Sequence, residues 1–213
     1  LMGVFTFYPG GFFERGQADL EPFFVWHPWL YLLLVPALGM RLWAEENKMG
    51  TIELLLTQPV SIVEVMLGKF FAAWTMIALS LGLTFPIWLT VNILGSPDNG
   101  VIFSAYLGSL LMAAAFLAIS TAFSAITSNQ VIAFILSIVC CFVFLLSGYP
   151  LVLDFFRGWL PDVFVSAISY LSFLRHFDSS LKGMLDLRSI VFFITFSSLW
   201  LWIGTRIVAC KRT

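Results

Sequence analysis

Two histidines, three cysteines and twelve carboxylates are the reactive groups of this chain, and few stand at spacings that chemistry can use. His176 and Asp178 supply two potential metal ligands, where zinc asks for at least three from the protein; packing, or a local salt bridge with Arg175, is the simpler expectation. His27 lies beside Pro28 within an apolar stretch, where an ionisable group is a functional candidate. Its place near one end of that stretch favours an interfacial histidine. Gly68-Lys69 looks like the end of a phosphate loop, but Val63 holds the place of the first glycine and Phe70 that of the Ser or Thr. No ATP site is encoded. Cys140-Cys141 reads as a pair of small apolar side chains. Cys210-Lys211-Arg212-Thr213 fails as a prenylation box because its middle residues are charged, and no serine stands in a Gly-x-Ser-x-Gly frame. No catalytic residue, metal or bound cofactor is therefore expected on this chain.

The elements that carry these residues follow from composition. The chain has 213 residues, 60% hydrophobic, 17% aromatic and 11% charged, with a formal net charge of −1; an average soluble domain carries about 25% charged residues. The mean hydropathy is +0.97. There is no basic face for nucleic acid, and a disordered chain, a collagen-like fibre and a small disulfide scaffold are excluded. The expected fold class is an all-α integral membrane protein.

Charges cost roughly 2.5–3.5 kcal/mol each at the bilayer centre, so gaps between them mark spans of about 20 residues. The gaps predict spans over about 22–40, 70–94, 102–126, 131–148 and 189–206, with Thr127-Ser128-Asn129-Gln130 dividing the third from the fourth. Residues 1–8 are apolar but would reach only about 12 Å as a helix, against a hydrocarbon core of about 30 Å. They are expected to be the end of a truncated first span, which makes six in a single transmembrane domain over 1–213. Arg41, Lys48 and Lys69 in the 41–69 loop, with Arg206, Lys211 and Arg212 in the tail, place that loop and the C-terminus in the cytoplasm. Parity then puts 149–188 outside, although it carries Arg157, Arg175, Lys182 and Arg188.

Two polar regions remain. In the 41–69 loop, Arg41 to Met49 extends the preceding helix into water, Gly50 breaks it, and Ser61 with Glu64 forms a capping box that starts the next span. Thr51 to Leu56 forms a short helix with Ile52, Leu55 and Leu56 on one side. It can rest on lipid headgroups or dock on a soluble partner, and the scarcity of flanking basic residues favours the partner. The 149–188 segment, punctuated by Pro150 and Pro161, reads as short helices folded against the outer leaflet. It either shields the bundle or gates a pathway, with Arg175, His176, Asp178 and Asp186 as candidate gate residues.

The runs Met40-Arg41-Leu42-Trp43-Ala44-Glu45-Glu46, Gly50-Thr51-Ile52-Glu53-Leu54-Leu55-Leu56-Thr57 and Leu67-Gly68-Lys69 closely resemble permease subunits of type-2 ATP-binding-cassette (ABC) transporters. The likeness is in particular to the gliding-motility-type permeases of bacteria, and it extends over Phe13 to Leu20, Thr127 to Phe134 and His176 to Arg188. The resemblance implies a six-span fold in the bacterial inner membrane, as a dimer of this chain or beside a related membrane subunit. It also implies a separate ABC ATPase subunit that binds ATP and Mg, and an exporter as the assembled machine. Carried onto this sequence, the coupling residues would be Arg41, Glu45, Glu46, Gly50, Thr51, Glu53 and Leu54. Ser128, Asn129 and Gln130 would make a second, smaller contact. Two alternatives stay open: an ATP-independent channel or carrier, and a structural scaffold of an envelope or motility complex. Apart from Arg206 at the edge of the last one, the predicted spans lack Asp, Glu, Lys and Arg, which argues against an ion-coupled carrier.

Overall fold

A backbone amide without a partner is costly in hydrocarbon, so an apolar stretch of this length must be helical to satisfy itself. The computed structural model describes residues 19–52, 59–157, 161–184 and 186–211, and they contain helices and no strand. In chain order the helices are α1 (Glu21–Phe24), α2 (His27–Gly39), α3 (Arg41–Met49), α4 (Ile62–Gly82), α5 (Phe85–Leu94), α6 (Asn99–Ile126), α7 (Gln130–Leu146), α8 (Pro150–Arg157), α9 (Asp162–Tyr170), α10 (Phe173–Leu181) and α11 (Leu187–Cys210). Among the described residues four stretches are long and apolar enough to cross a membrane: Glu21–Met49, Ile62–Leu94, Asn99–Ile126 and Leu187–Cys210; α7 is a shorter apolar helix. The protein is an all-α integral membrane protein.

The helix starts are written locally. Ser61 N donates to Glu64 Oε2 at 2.9 Å and Glu64 N to Ser61 Oγ at 3.3 Å, the reciprocal capping box expected ahead of α4. Asp98 Oδ1 accepts from Gly100 N and Val101 N to cap α6, Asn129 Oδ1 accepts from Val131 N at α7, and Asp186 Oδ1 accepts from Arg188 N at α11. Each satisfies an amide that the first turn of a helix leaves without an internal partner. The predicted 70–94 span is divided. Pro86, in the first turn of α5, restricts the residue before it and removes a backbone donor, and Thr84 Oγ1 bonds back to Leu81 O at 2.6 Å.

The described residues cluster into two compact units, one drawn from 19–30, 79–112 and 142–190, the other from 31–78, 113–141 and 191–211. In the first, Phe23, Phe24, Phe173 and Phe177 are almost wholly buried, and Ser104 Oγ donates to Ser180 O at 2.8 Å. His27 belongs to this core. It is fully buried, with Nδ1 3.0 Å from Phe23 O and its ring stacked on Phe24, so its side chain is enclosed by protein. In the second unit Trp43, Met66, Phe116, Leu117, Phe193 and Val208 form the core.

Close backbone approach rests on three glycines, each opposite a serine of its own unit; Gly39 and Gly108 lie in helices and Gly148 in the turn after α7. A Cβ on Gly39 would lie 2.3 Å from Ser120 Oγ, one on Gly108 2.6 Å from Ser180 Oγ, and one on Gly148 2.3 Å from Ser172 Oγ. Small residues permit this approach where lipid supplies no hydrophobic drive between helices. Among the described residues every buried polar side chain is Ser, Thr121 or His27, and the hydroxyls of Ser104, Ser120, Thr121, Ser124 and Ser137 donate to backbone carbonyls. The apolar surface lies outward: Met76, Leu79, Leu83 and Ile93 are each more than 60% exposed, which only a lipid or protein neighbour makes tolerable.

Candidate functional site

The polar chemistry of the second unit gathers where α2 passes into α3. Met40 is a single turn residue between them, and Ser124, near the end of α6, inserts there. Its Oγ accepts from Trp43 N and Ala44 N, both at 3.0 Å, and donates to Met40 O at 2.8 Å. A side chain inserted into a helical ladder in this way sets the direction of the following turn. Farther along α3, Asn47 Nδ2 lies 3.5, 3.4 and 3.2 Å from the carbonyl oxygens of Ser124, Ala125 and Thr127. Lys211 adds a second cap, its Nζ donating to Ala125 O at 2.8 Å and Ile126 O at 3.2 Å. The last carbonyls of α6, which no helix satisfies internally, are thus held by α3 and by the residue that follows α11. A cation suits the negative end of the helix dipole, although burial lowers the pKa of this lysine.

Lys69 of α4 ties the same region from another side. Its Nζ donates to Leu42 O at 2.7 Å, pairs with the Glu46 carboxylate and lies 4.5 Å from the centre of the Trp43 ring. Trp43 is completely buried, so the ammonium is enclosed between a π face, a carbonyl and a carboxylate. The second Glu46 oxygen and Trp43 Nε1 are buried without a hydrogen-bond partner among the described residues. α3 ends at Gly50, whose φ of 70° is left-handed; this region favours glycine and closes the helix in a C-cap.

In the first unit, α9, α10 and the turn between them carry the other cluster. Arg175 Nη1 donates to Ser169 Oγ at 2.8 Å, and its guanidinium lies 4.4 Å from the Tyr170 ring centre. His176 Nε2 is 2.9 Å from Tyr170 O and Nδ1 is 3.0 Å from Ser189 Oγ. A carbonyl only accepts, so Nε2 carries the proton and the neutral ring takes its second bond from the serine hydroxyl. Burial lowers this imidazole below its usual value and Arg175 lowers it further, against the Tyr170 carbonyl and Asp186. Asp178 is pushed up by its apolar surroundings, against the pull of Lys182.

Residues 30–207 match the family described as ABC-2 family transporter protein. The chain belongs to that family. No curated protein matches it closely. An ABC-2 membrane domain is a transport subunit, a permease.

Of the predicted coupling residues of this permease, Glu46 belongs to the lysine cluster and Gly50 forms the left-handed turn. Arg41 and Glu45 are exposed and make no hydrogen bond or ion pair among the described residues. Thr51 is half-buried, Ser128 exposed, and Gln130 begins α7, which Asn129 caps. Glu53 and Leu54 lie outside the described residues, as does most of the predicted short helix. In the other cluster Arg175 and Asp178 line one cavity, whereas His176 bonds to Ser189 and Asp186 caps α11. Arg175 bonds to Ser169 and rests on Tyr170, so of the two alternatives, packing and a salt bridge, it shows the packing. Sequence reading missed Ser124, Asn47, Lys69 and Lys211. The two lysines served there as markers of orientation and, for Lys69, as part of a motif, not as bonding groups, and nothing local sets Ser124 apart from the other small residues of α6.

Proposed function

We propose that this chain is the membrane-spanning permease subunit of an ATP-driven exporter of the gliding-motility type in the bacterial inner membrane. In this reading the C-terminus is cytoplasmic, and the 41–56 segment, with a smaller contribution from 128–130, docks on a separate ABC ATPase subunit. ATP and Mg bind on that partner. Two permease halves, identical or related, form the pathway, and Arg175, His176, Asp178 and Asp186 belong to its outer face.

The supporting observation is the bonded junction at Ser124. A cassette pressing on α3 would act on a helix tied to α6 by Ser124 and Asn47 and to α4 by Lys69. A rigid element anchored on two spans passes on a displacement that a free loop would absorb. The nucleotide state must then change the relative stabilities of the bundle's conformations. Glu45, exposed and unbonded on α3 among the described residues, leaves a charge available for the partner.

The test is to co-express the chain with the ATPase encoded beside it, purify through a tag on this chain, and measure ATP hydrolysis in lipid. Stoichiometric co-purification, with activity altered by Glu45→Lys or Glu53→Arg, is expected. Purification of a stable chain with no ATPase attached in lipid would overturn the reading.

A further inference from the structure

Within the first unit, residues around Trp29, with 148–150 and 174–184, line an open cavity of about 580 Å3, inside the roughly 300–1,000 Å3 range of small-molecule sites. Its apolar walls include Pro28, Trp29, Tyr149, Leu174, Phe177 and Met184, and it is also lined by Arg175, Asp178 and Lys182. The three charged residues follow one another at intervals of three and four, which sets them on one side of α10 and its C-cap. Arg175 spends one of the five N–H donors of a guanidinium on Ser169 and rests on Tyr170. Lys182 is exposed, and its ammonium makes no hydrogen bond or ion pair among the described residues. Trp29, Tyr149 and Tyr170 are each partly exposed, and these are the residue types that settle at the headgroup level of a bilayer.

An apolar hollow with two cations on its polar side, beside aromatic residues suited to the interface, matches one kind of molecule. We propose that this cavity binds an anionic phospholipid, with the phosphate on Arg175 and Lys182 and the first part of an acyl chain against Trp29, Leu174 and Phe177. Asp178 opposes a phosphate, but two cations to one acid leave the lining positive. The site does not depend on what the permease transports, so it is tested without nucleotide.

The experiment measures lipid retained by the purified full chain in detergent by native mass spectrometry, with phosphatidylglycerol and phosphatidylcholine as competing probes. Preferential retention of phosphatidylglycerol is expected. A basic residue near an anionic lipid contributes about 1 kcal/mol, so Lys182→Gln should weaken that retention about fivefold. Asp178→Asn should strengthen it. Lys182 is exposed and unbonded, so its variant reads binding even if Arg175→Gln disturbs the turn at Tyr170. Equal retention of the two lipids, no response to Lys182→Gln, or full displacement of phosphatidylglycerol by millimolar inorganic phosphate would overturn the proposal.

Discussion

Replacing Lys69 with methionine keeps most of the side chain's length and removes only the ammonium, so it isolates what the charge does. The lysine loses a charge-assisted hydrogen bond to Leu42 O, of a class worth about 1.5–3 kcal/mol, and a cation–π contact with Trp43 worth about 0.5–1 kcal/mol. The Glu46 pair is neither fully exposed nor fully buried, with side-chain exposures of 20% and 23%. Its worth therefore lies between the roughly 0–1 kcal/mol of a surface pair and the roughly 3–5 kcal/mol cost of orphaning a buried charge. These terms share one ammonium and do not add, and removing it also relieves its own desolvation. The expected loss for Lys69→Met is about 2–3 kcal/mol. Glu46→Gln, which leaves the bond to Leu42 intact, should cost about 1 kcal/mol. The double variant should recover about 1 kcal/mol of the summed losses, the interaction energy a double-mutant cycle reads for residues in contact. The measurement is reversible unfolding of the four proteins in mixed micelles, at low and high salt. A partly enclosed pair is screened less than an exposed one, so the coupling should survive added salt. Refutation would be a Lys69→Met variant within about 0.5 kcal/mol of the parent, or a coupling that vanishes in salt; the cluster would then be a solvated pair with no structural role.

Ser124→Ala strands two amides and a carbonyl at the α2–α3 junction and should cost about 2–3 kcal/mol in the same unfolding assay; Ser120→Ala, losing one bond at 3.3 Å, should cost under about 1 kcal/mol. Gly50→Pro cannot adopt the φ of 70° and should lower ATPase-coupled transport by the assembled complex while membrane insertion stays normal; full coupling would count against 41–56 as the transmitting segment. His176 binds a proton less readily folded than unfolded, so its contribution is fully present above about pH 6.5 and declines as pH falls below that. His176→Gln should flatten this acid-side loss in a pH series of unfolding midpoints, and an unchanged slope would exclude His176 as its source.

What was legible in the sequence was what is local in the chain. The Ser61–Glu64 box, the stop at Gly50 and the polar break at 127–130 each act within a few residues, and the structure carries the corresponding bonds or dihedrals. The interruption of 70–94 at Leu83 and Thr84 was less visible because charge gaps cannot register a break inside an apolar run, although Pro86 carried the signal. The Ser124 junction joins residues more than 80 positions apart. Nothing in the run around Ser124 distinguishes it from Ser120, and the partner that makes it special arrives only by tertiary packing. The burial of His27 was hidden for the same reason: its place in the chain carries no sign that Phe23 and Phe24 close over it.

The three glycine–serine contacts bear on how relatives of this chain can diverge. At Gly39–Ser120, Gly108–Ser180 and Gly148–Ser172 the space for one added methyl is already occupied by a hydroxymethyl group. Neither position can grow alone, yet an exchange that puts the larger residue on the opposite segment conserves the volume between them. These positions should therefore covary as pairs across an alignment, drifting together in size while neighbouring lipid-facing residues interchange freely. Such correlated pairs would mark the helix contacts of distant relatives whose overall similarity has faded.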